Sequence, residues 1–168
     1  MDGREFETFP LFDEPFWLAY ARDHAFYDKD RIRLRDLGNE NLLLLAEGHC
    51  LAEEAMDVCR VKERRTHGEM ADLRAASLET LIQLVGVGYD ITLVPALAMR
   101  GNWMTGTGVV AQPLANADAA RRISLVFRRS FSRRAALQAF ADIILENLPN
   151  TVRRTGHVKQ SKDKSRKK

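Results

Sequence analysis

The residues best equipped for chemistry sit together in Glu47-Gly48-His49-Cys50-Leu51-Ala52-Glu53-Glu54-Ala55-Met56-Asp57-Val58-Cys59, a segment that holds both cysteines of the chain. Gly48 stops the apolar run before it, and the good helix formers after Cys50 predict a thiol at or near a helix N-terminus. Unpaired backbone N–H groups and the positive helix end stabilise a thiolate there, and the thiolate is the nucleophilic form of the side chain. His49 stands next to the sulfur in sequence and can hydrogen-bond it or, when protonated, add positive charge. Glu53 and Glu54 act in the opposite sense.

The spacing adds a second constraint. On one continuous helix, nine positions rotate the two thiols about 180° apart and separate them by about 13.5 Å along the axis. A disulfide needs Cα atoms within about 7 Å. A bond between Cys50 and Cys59 therefore requires the segment between them to unwind or fold back, which couples oxidation to conformation as a switch does. Two blander readings fit the same pattern. The thiols can be buried and inert, or a metal can recruit His49, Cys50, Cys59 and His67, although these spacings lack the tight knuckles of zinc motifs.

The elements that must position this segment alternate in type. Short apolar, β-favouring runs at Phe9–Phe12, Phe16–Tyr20, Leu42–Leu45, Ile91–Val94, Val109–Leu114 and Ile123–Phe127 predict strands. Helical patterns fall at Leu51–Val58, at Leu78, Leu81, Ile82 and Val85, and at Ala135–Leu148, where Leu137, Phe140, Ile144 and Leu148 can share a face. Ser77 is a good N-cap with Glu79 in the first turn, and Gly86 and Gly88 end that helix. Because these glycines follow a helix, whereas phosphate-cradling loops precede one, they do not read as a nucleotide site. Pro95 suits the start of a short helix at Ala96–Met99, and Arg100–Gly108 reads as a loop. The alternation predicts an α/β domain with a mostly parallel or mixed sheet.

The 168 residues, 45% hydrophobic and 29% charged, suffice for one globular domain, expected over 1–150. The longest apolar stretch, Leu42–Ala46, is far short of the roughly 20 residues of a membrane span, and the acidic opening is no signal peptide. A cytoplasmic protein without membrane association is expected. In that compartment a cysteine pair points to redox or metal work rather than a structural framework. The pI near 9.0 hints at nucleic acid, but the charge is concentrated from Thr151 onward. Eight Lys or Arg face one Asp there, leaving the body four negative overall. Residues 151–168 are therefore expected to be a disordered basic tail that attracts phosphate weakly and reads no sequence.

Several motifs in order resemble a known family. Pro10-Leu11-Phe12-Asp13-Glu14-Pro15, Gly48-His49-Cys50-Leu51 with Ala55-Met56 and Cys59, Arg74-Ala75 with Ser77-Leu78-Glu79-Thr80-Leu81, and Ile91-Thr92-Leu93 with Pro95-Ala96-Leu97-Ala98 resemble the effector domain of OxyR-type hydrogen peroxide sensors of the LysR family. The resemblance covers roughly Phe9 to Leu148 and implies a periplasmic-binding-protein-like fold. The second lobe would span about 11–121, and a strand and helix at 122–149 would return to a first lobe. It implies that peroxide oxidises Cys50 to a sulfenic acid, that Cys59 then forms a disulfide with it, and that His49, Glu53 and Arg121 neighbour the reactive site, with Arg122 as the alternative arginine. It implies as partners hydrogen peroxide, a homo-oligomer formed through effector domains, a glutaredoxin-type reductant, and DNA and RNA polymerase in the full-length regulator. No cofactor or metal is implied, and no enzymatic turnover.

The departures from the family pattern are specific. Ala52 and Glu53 stand where the family carries an arginine and an aspartate, and His67 is out of register with a family histidine. The winged helix-turn-helix, the linker helix and most of the first lobe are expected to be missing, which would leave the apolar face of the last helix exposed. An ordinary ligand-binding lobe or an inactive truncated fragment is the competing reading. A thiol peroxidase would use the same pair catalytically, but the chain shows neither a C-x-x-C nor a peroxiredoxin-type motif.

Overall fold

The computed structural model describes residues 5–38, 40–46, 50–59, 74–100 and 104–155, without the side chain of residue 100. His49, His67 and the end of the tail lie outside the described residues.

One strand organises the fold. β1, Phe6–Ala21, runs for 16 residues and pairs antiparallel with four others. Its first half, through Pro15, pairs with β6 (Ala120–Arg128) and, at Phe12 and Asp13, with β7 (Arg153–Arg154). Its second half lies between β4 (Thr92–Pro95) and β5 (Val109–Pro113). Sequence patterning expected two strands here, separated by Asp13-Glu14-Pro15. The separation fails because Asp13 and Glu14 face Arg122 and Arg121 across β6, so the polar residues are cross-strand partners rather than a break. A register shift between Pro10 and Phe12 absorbs the irregularity.

Alternation along β1 gives the domain two layers. Phe16, Leu18 and Tyr20 enter the main core with Phe26, Ile32, Leu37, Leu44, Ile91 and Leu93. Ala19, on the other face, packs with Ile82 and Val94. α1 (Cys50–Cys59) contributes Ala55 and Cys59 to the first layer, and α2 (Leu78–Gly86) contributes Ile82 to the second. The sheet around β1 is antiparallel. Parallel pairing occurs between β2 (Leu44–Leu45) and β3 (Arg74–Ala75) and at the bridges Ile32 to Leu114 and Leu42 to Ile91, so the structure is mixed rather than mostly parallel.

α2 forms as the sequence suggests. Ser77 Oγ accepts from the Thr80 N–H at 3.2 Å, and Leu81, Ile82 and Val85 are buried. Gly86 ends it for a packing reason, because a Cβ there would lie 2.3 Å from the Thr107 carbonyl oxygen. Gly86→Ala should force two backbone segments apart and cost about 1–3 kcal/mol, seen as a lower denaturant midpoint.

α3 (Arg134–Glu146) packs Ala141, Ile144 and Leu145 against Leu11, Phe12 and Val152. Phe140, on the apolar face expected to be left exposed, is exposed together with Ile143, at 53% and 59%, while Ile144 and Leu148 of the same face pack in part. The tail begins with order rather than disorder. Val152 is buried, Arg153–Arg154 pair with β1, and Thr155 Oγ1 donates to the Leu11 carbonyl at 2.9 Å. Among the described residues, no helix is long and apolar enough to cross a membrane.

Candidate functional site

α1 places both thiols. Cys50 is its first residue and exposed, and Cys59 is its last and buried at 5% exposure. The two are thiols, not a disulfide. Ala52, Ala55 and Cys59 mark the inner face of the helix, and the helical repeat sets Cys50 about 180° away on the outer side. One thiol thus meets solvent at a helix N-terminus, while the other lies against Phe16, Leu18, Tyr20 and Ile91 in the main core.

Ala52 explains one departure from the family pattern in packing terms. It is 3% exposed and sits in a cluster with Leu43, Leu45, Ala75, Leu81 and Val85. Its side chain therefore points between α1 and α2 and away from Cys50. Glu53 is exposed. Metal ligation by His49 and His67 falls outside the described residues. Among the described residues, no group of three or more metal-ligating side chains occurs.

The two candidate arginines differ in their partners. Arg122 lies on the exposed face of β6 and holds Asp13, Nε to Oδ1 at 2.9 Å and Nη2 to Oδ2 at 3.2 Å. Arg121 lies on the opposite face. Its Nε donates to Glu14 Oε2 at 2.8 Å and its Nη1 to Glu54 Oε2 at 3.0 Å. Glu54 is one helical turn beyond Cys50 and on the same side of α1, so Arg121 reaches the thiol helix through this carboxylate. The Glu14 side chain is fully buried, and its Oε1 also accepts from the Leu97 N–H at 2.9 Å.

Partial burial works against the charge of Arg121, but its hydrogen bonds to Glu54 and Glu14 outweigh it and hold the guanidinium above its ordinary range. Neither glutamate was singled out as an arginine partner by sequence reasoning. The available signal was the matched order of two acids in Asp13-Glu14 and two bases in Arg121-Arg122.

Arg122 likewise holds Asp13 below the ordinary carboxylate range, chiefly through its hydrogen bonds. A depressed folded-state value stabilises the fold above the ordinary value near 4 and loses that contribution as pH falls through the depressed one. Asp13→Asn should therefore be less stable than the parent at pH 7 and converge with it as acid protonates the parent's carboxylate. Urea midpoints from pH 7 downward measure the convergence.

Comparison with known proteins identifies the family and the fold. The model of the LysR substrate binding domain family matches residues 2–149. The "Hydrogen peroxide-inducible genes activator" of Pectobacterium carotovorum subsp. carotovorum is 38% identical over 149 residues, covering 88% of this chain and 47% of that protein. The "DNA-binding transcriptional dual regulator OxyR" of Escherichia coli (strain K12) is 38% identical over 145 residues, covering 85% and 46%. The structure of a reduced form of OxyR from N. meningitidis superimposes with a TM-score of 0.75 at 29% identity, covering 93% of this chain and 71% of that one. The chain spans about half the length of the curated relatives it matches.

Proposed function

This chain belongs to the LysR substrate-binding domain family, and from that premise we propose that it is the peroxide-sensing part of a cytoplasmic transcription regulator, with Cys50 and Cys59 as its switch. The observation that carries this reading is the placement of the two thiols at opposite ends and on opposite faces of α1, one exposed and one buried. Two relatives of matching sequence are named for peroxide induction and for transcriptional regulation, which supports the assignment. Residues of about 11–121 form the second lobe in this reading, and the remainder of β6 together with α3, over 122–149, returns to a first lobe.

The chemistry balances as two displacements. The Cys50 thiolate attacks one peroxide oxygen, the O–O bond breaks, and hydroxide leaves and takes up a proton as water. The sulfur, oxidised by two electrons, is then a sulfenic acid. The Cys59 sulfur attacks it, the S–O bond breaks, hydroxide leaves with the Cys59 proton as water, and the S–S bond forms. A dithiol reductant of the glutaredoxin type returns two electrons and two protons. His49 flanks the attacking sulfur in sequence, and Arg121 places a cation at the outer side of α1, which Ala52 cannot do. The refolding then rearranges subunits of a homo-oligomer, and contacts with DNA and RNA polymerase belong to the full-length regulator.

The test uses stoichiometric peroxide on the reduced chain, with free thiols and the disulfide followed by mass spectrometry. The parent should convert to one intramolecular disulfide, Cys59→Ser should stop at sulfenic acid on Cys50, and Cys50→Ser should remain reduced. Slow, unselective oxidation of both thiols sinks the proposal, and rapid turnover with a reductant replaces it with a peroxidase.

A further inference from the structure

We propose that Glu54 is a positioning residue that ties the reduced α1 to the sheet and thereby sets how readily Cys50 and Cys59 can meet. The inference deepens the thiol-switch reading and rests on it. The buried Glu14 carboxylate anchors Arg121 on β1, and Arg121 reaches outward to Glu54 at 3.0 Å. β1 is the central strand of the main sheet, so the glutamate–arginine–glutamate chain runs from the strand that pairs with four others to the element that must come apart. This ion pair joins α1 to β6.

The apolar part of the attachment of α1 is modest. Its fully buried positions are Ala52, Ala55 and Cys59, and two alanines contribute little apolar area. Leu51, Met56 and Val58 pack only in part. Against so small an anchor, one charged tie matters. It also lies at the correct end of the helix. Glu54 is four residues from Cys50, so the pair clamps the turns next to the outer thiol, and those turns must unwind to bring that sulfur within the roughly 7 Å Cα separation that a disulfide allows.

Glu54 has a second effect on the same step. Arg121 serves two carboxylates at once, so much of its charge is already compensated at the outer face of α1. Loss of one carboxylate both releases the helix and leaves the guanidinium more available to an anionic sulfur.

Glu54→Gln keeps the shape and the helix-forming tendency of the side chain and removes its charge. Hydrogen exchange on the reduced protein reads the tie without any oxidant. Amides of α1 should exchange about three- to fivefold faster than in the parent, as expected for loss of one partly exposed ion pair, while those of α2 and α3 keep their rates. At saturating peroxide, the Cys50 to Cys59 disulfide should then close faster by a similar factor. Unchanged exchange in α1, equal acceleration in all three helices, or faster exchange without faster closure each overturns the inference. If the parent makes no such disulfide, the thiol-switch reading fails by itself, and the exchange rates still decide whether Glu54 holds α1.

Discussion

Arg121→Ala should lower the unfolding free energy by about 3–5 kcal/mol, the cost typical of stripping one partner from a buried ion pair. Glu14 stands on β1 with its side chain fully buried, and its two oxygens are served by the Leu97 N–H and by Arg121 Nε. Without the arginine, one oxygen of a buried carboxylate has no donor and its charge no counterion. Arg121 is itself 26% exposed, so water can follow the truncated side chain inward and hold the loss toward the lower figure. Glu14→Gln should cost less, because the amide oxygen can still accept from Leu97 and no charge is stranded. Combining both changes should recover part of the Arg121→Ala loss, and denaturant midpoints of the four proteins give that coupling directly. A cost below about 1 kcal/mol for Arg121→Ala would show that the pair does not support the fold. A loss of peroxide response in Arg121→Ala would mix instability with chemistry, whereas Glu54→Gln leaves the buried pair intact.

The sequence carried the local elements well and their pairing poorly. Helices at Cys50–Cys59, Leu78–Gly86 and Arg134–Glu146 follow from periodicity, caps and glycine stops, all of which act within a few residues. The course of β1 does not, because Asp13-Glu14-Pro15 reads as a turn in isolation and becomes strand only when two arginines more than 100 residues away complete it. The apolar face of α3 was legible in part for a related reason. The pattern offered Leu137, Phe140, Ile144 and Leu148 together; Phe140 is exposed as a face without a partner should be, whereas Ile144 and Leu148 find cover beside Ala141 and Leu145 against Leu11, Phe12 and Val152. At the site, the placement of Cys50 at a helix start and of Cys59 half a turn away from it was legible from type and spacing, and the family resemblance named Arg121. What no local signal contained was the pair of carboxylates around that arginine, since each owes its role to a partner on a different element.

Closing the Cys50 to Cys59 bond should dismantle α1 while leaving α2 and α3 in place. The helix holds its first and last residues about 13.5 Å apart along its axis, with one thiol outside and the other at 5% exposure in the core, so no rotation of side chains can bring the sulfurs together. The backbone must give up its i to i−4 hydrogen bonds, and Cys59 must leave its place beside Phe16, Leu18 and Ile91 or draw the start of the helix down to it. Either route withdraws Ala55, Met56 and Val58 from their present packing, and those apolar atoms must find new cover or meet water. α1 holds ten of the residues in α-helix, beside nine in α2 and thirteen in α3. The oxidised chain should accordingly lose roughly a third of the far-ultraviolet helical signal that these elements give, and amide protection should disappear across α1 alone. A disulfide verified by mass spectrometry in a protein whose α1 amides remain protected would contradict the geometry. Intermolecular bonding between chains is the way that result could arise, and mass alone distinguishes it. With an intramolecular bond, the covalent change and the conformational change are one event, because the reduced helix and the closed disulfide cannot occupy the same backbone.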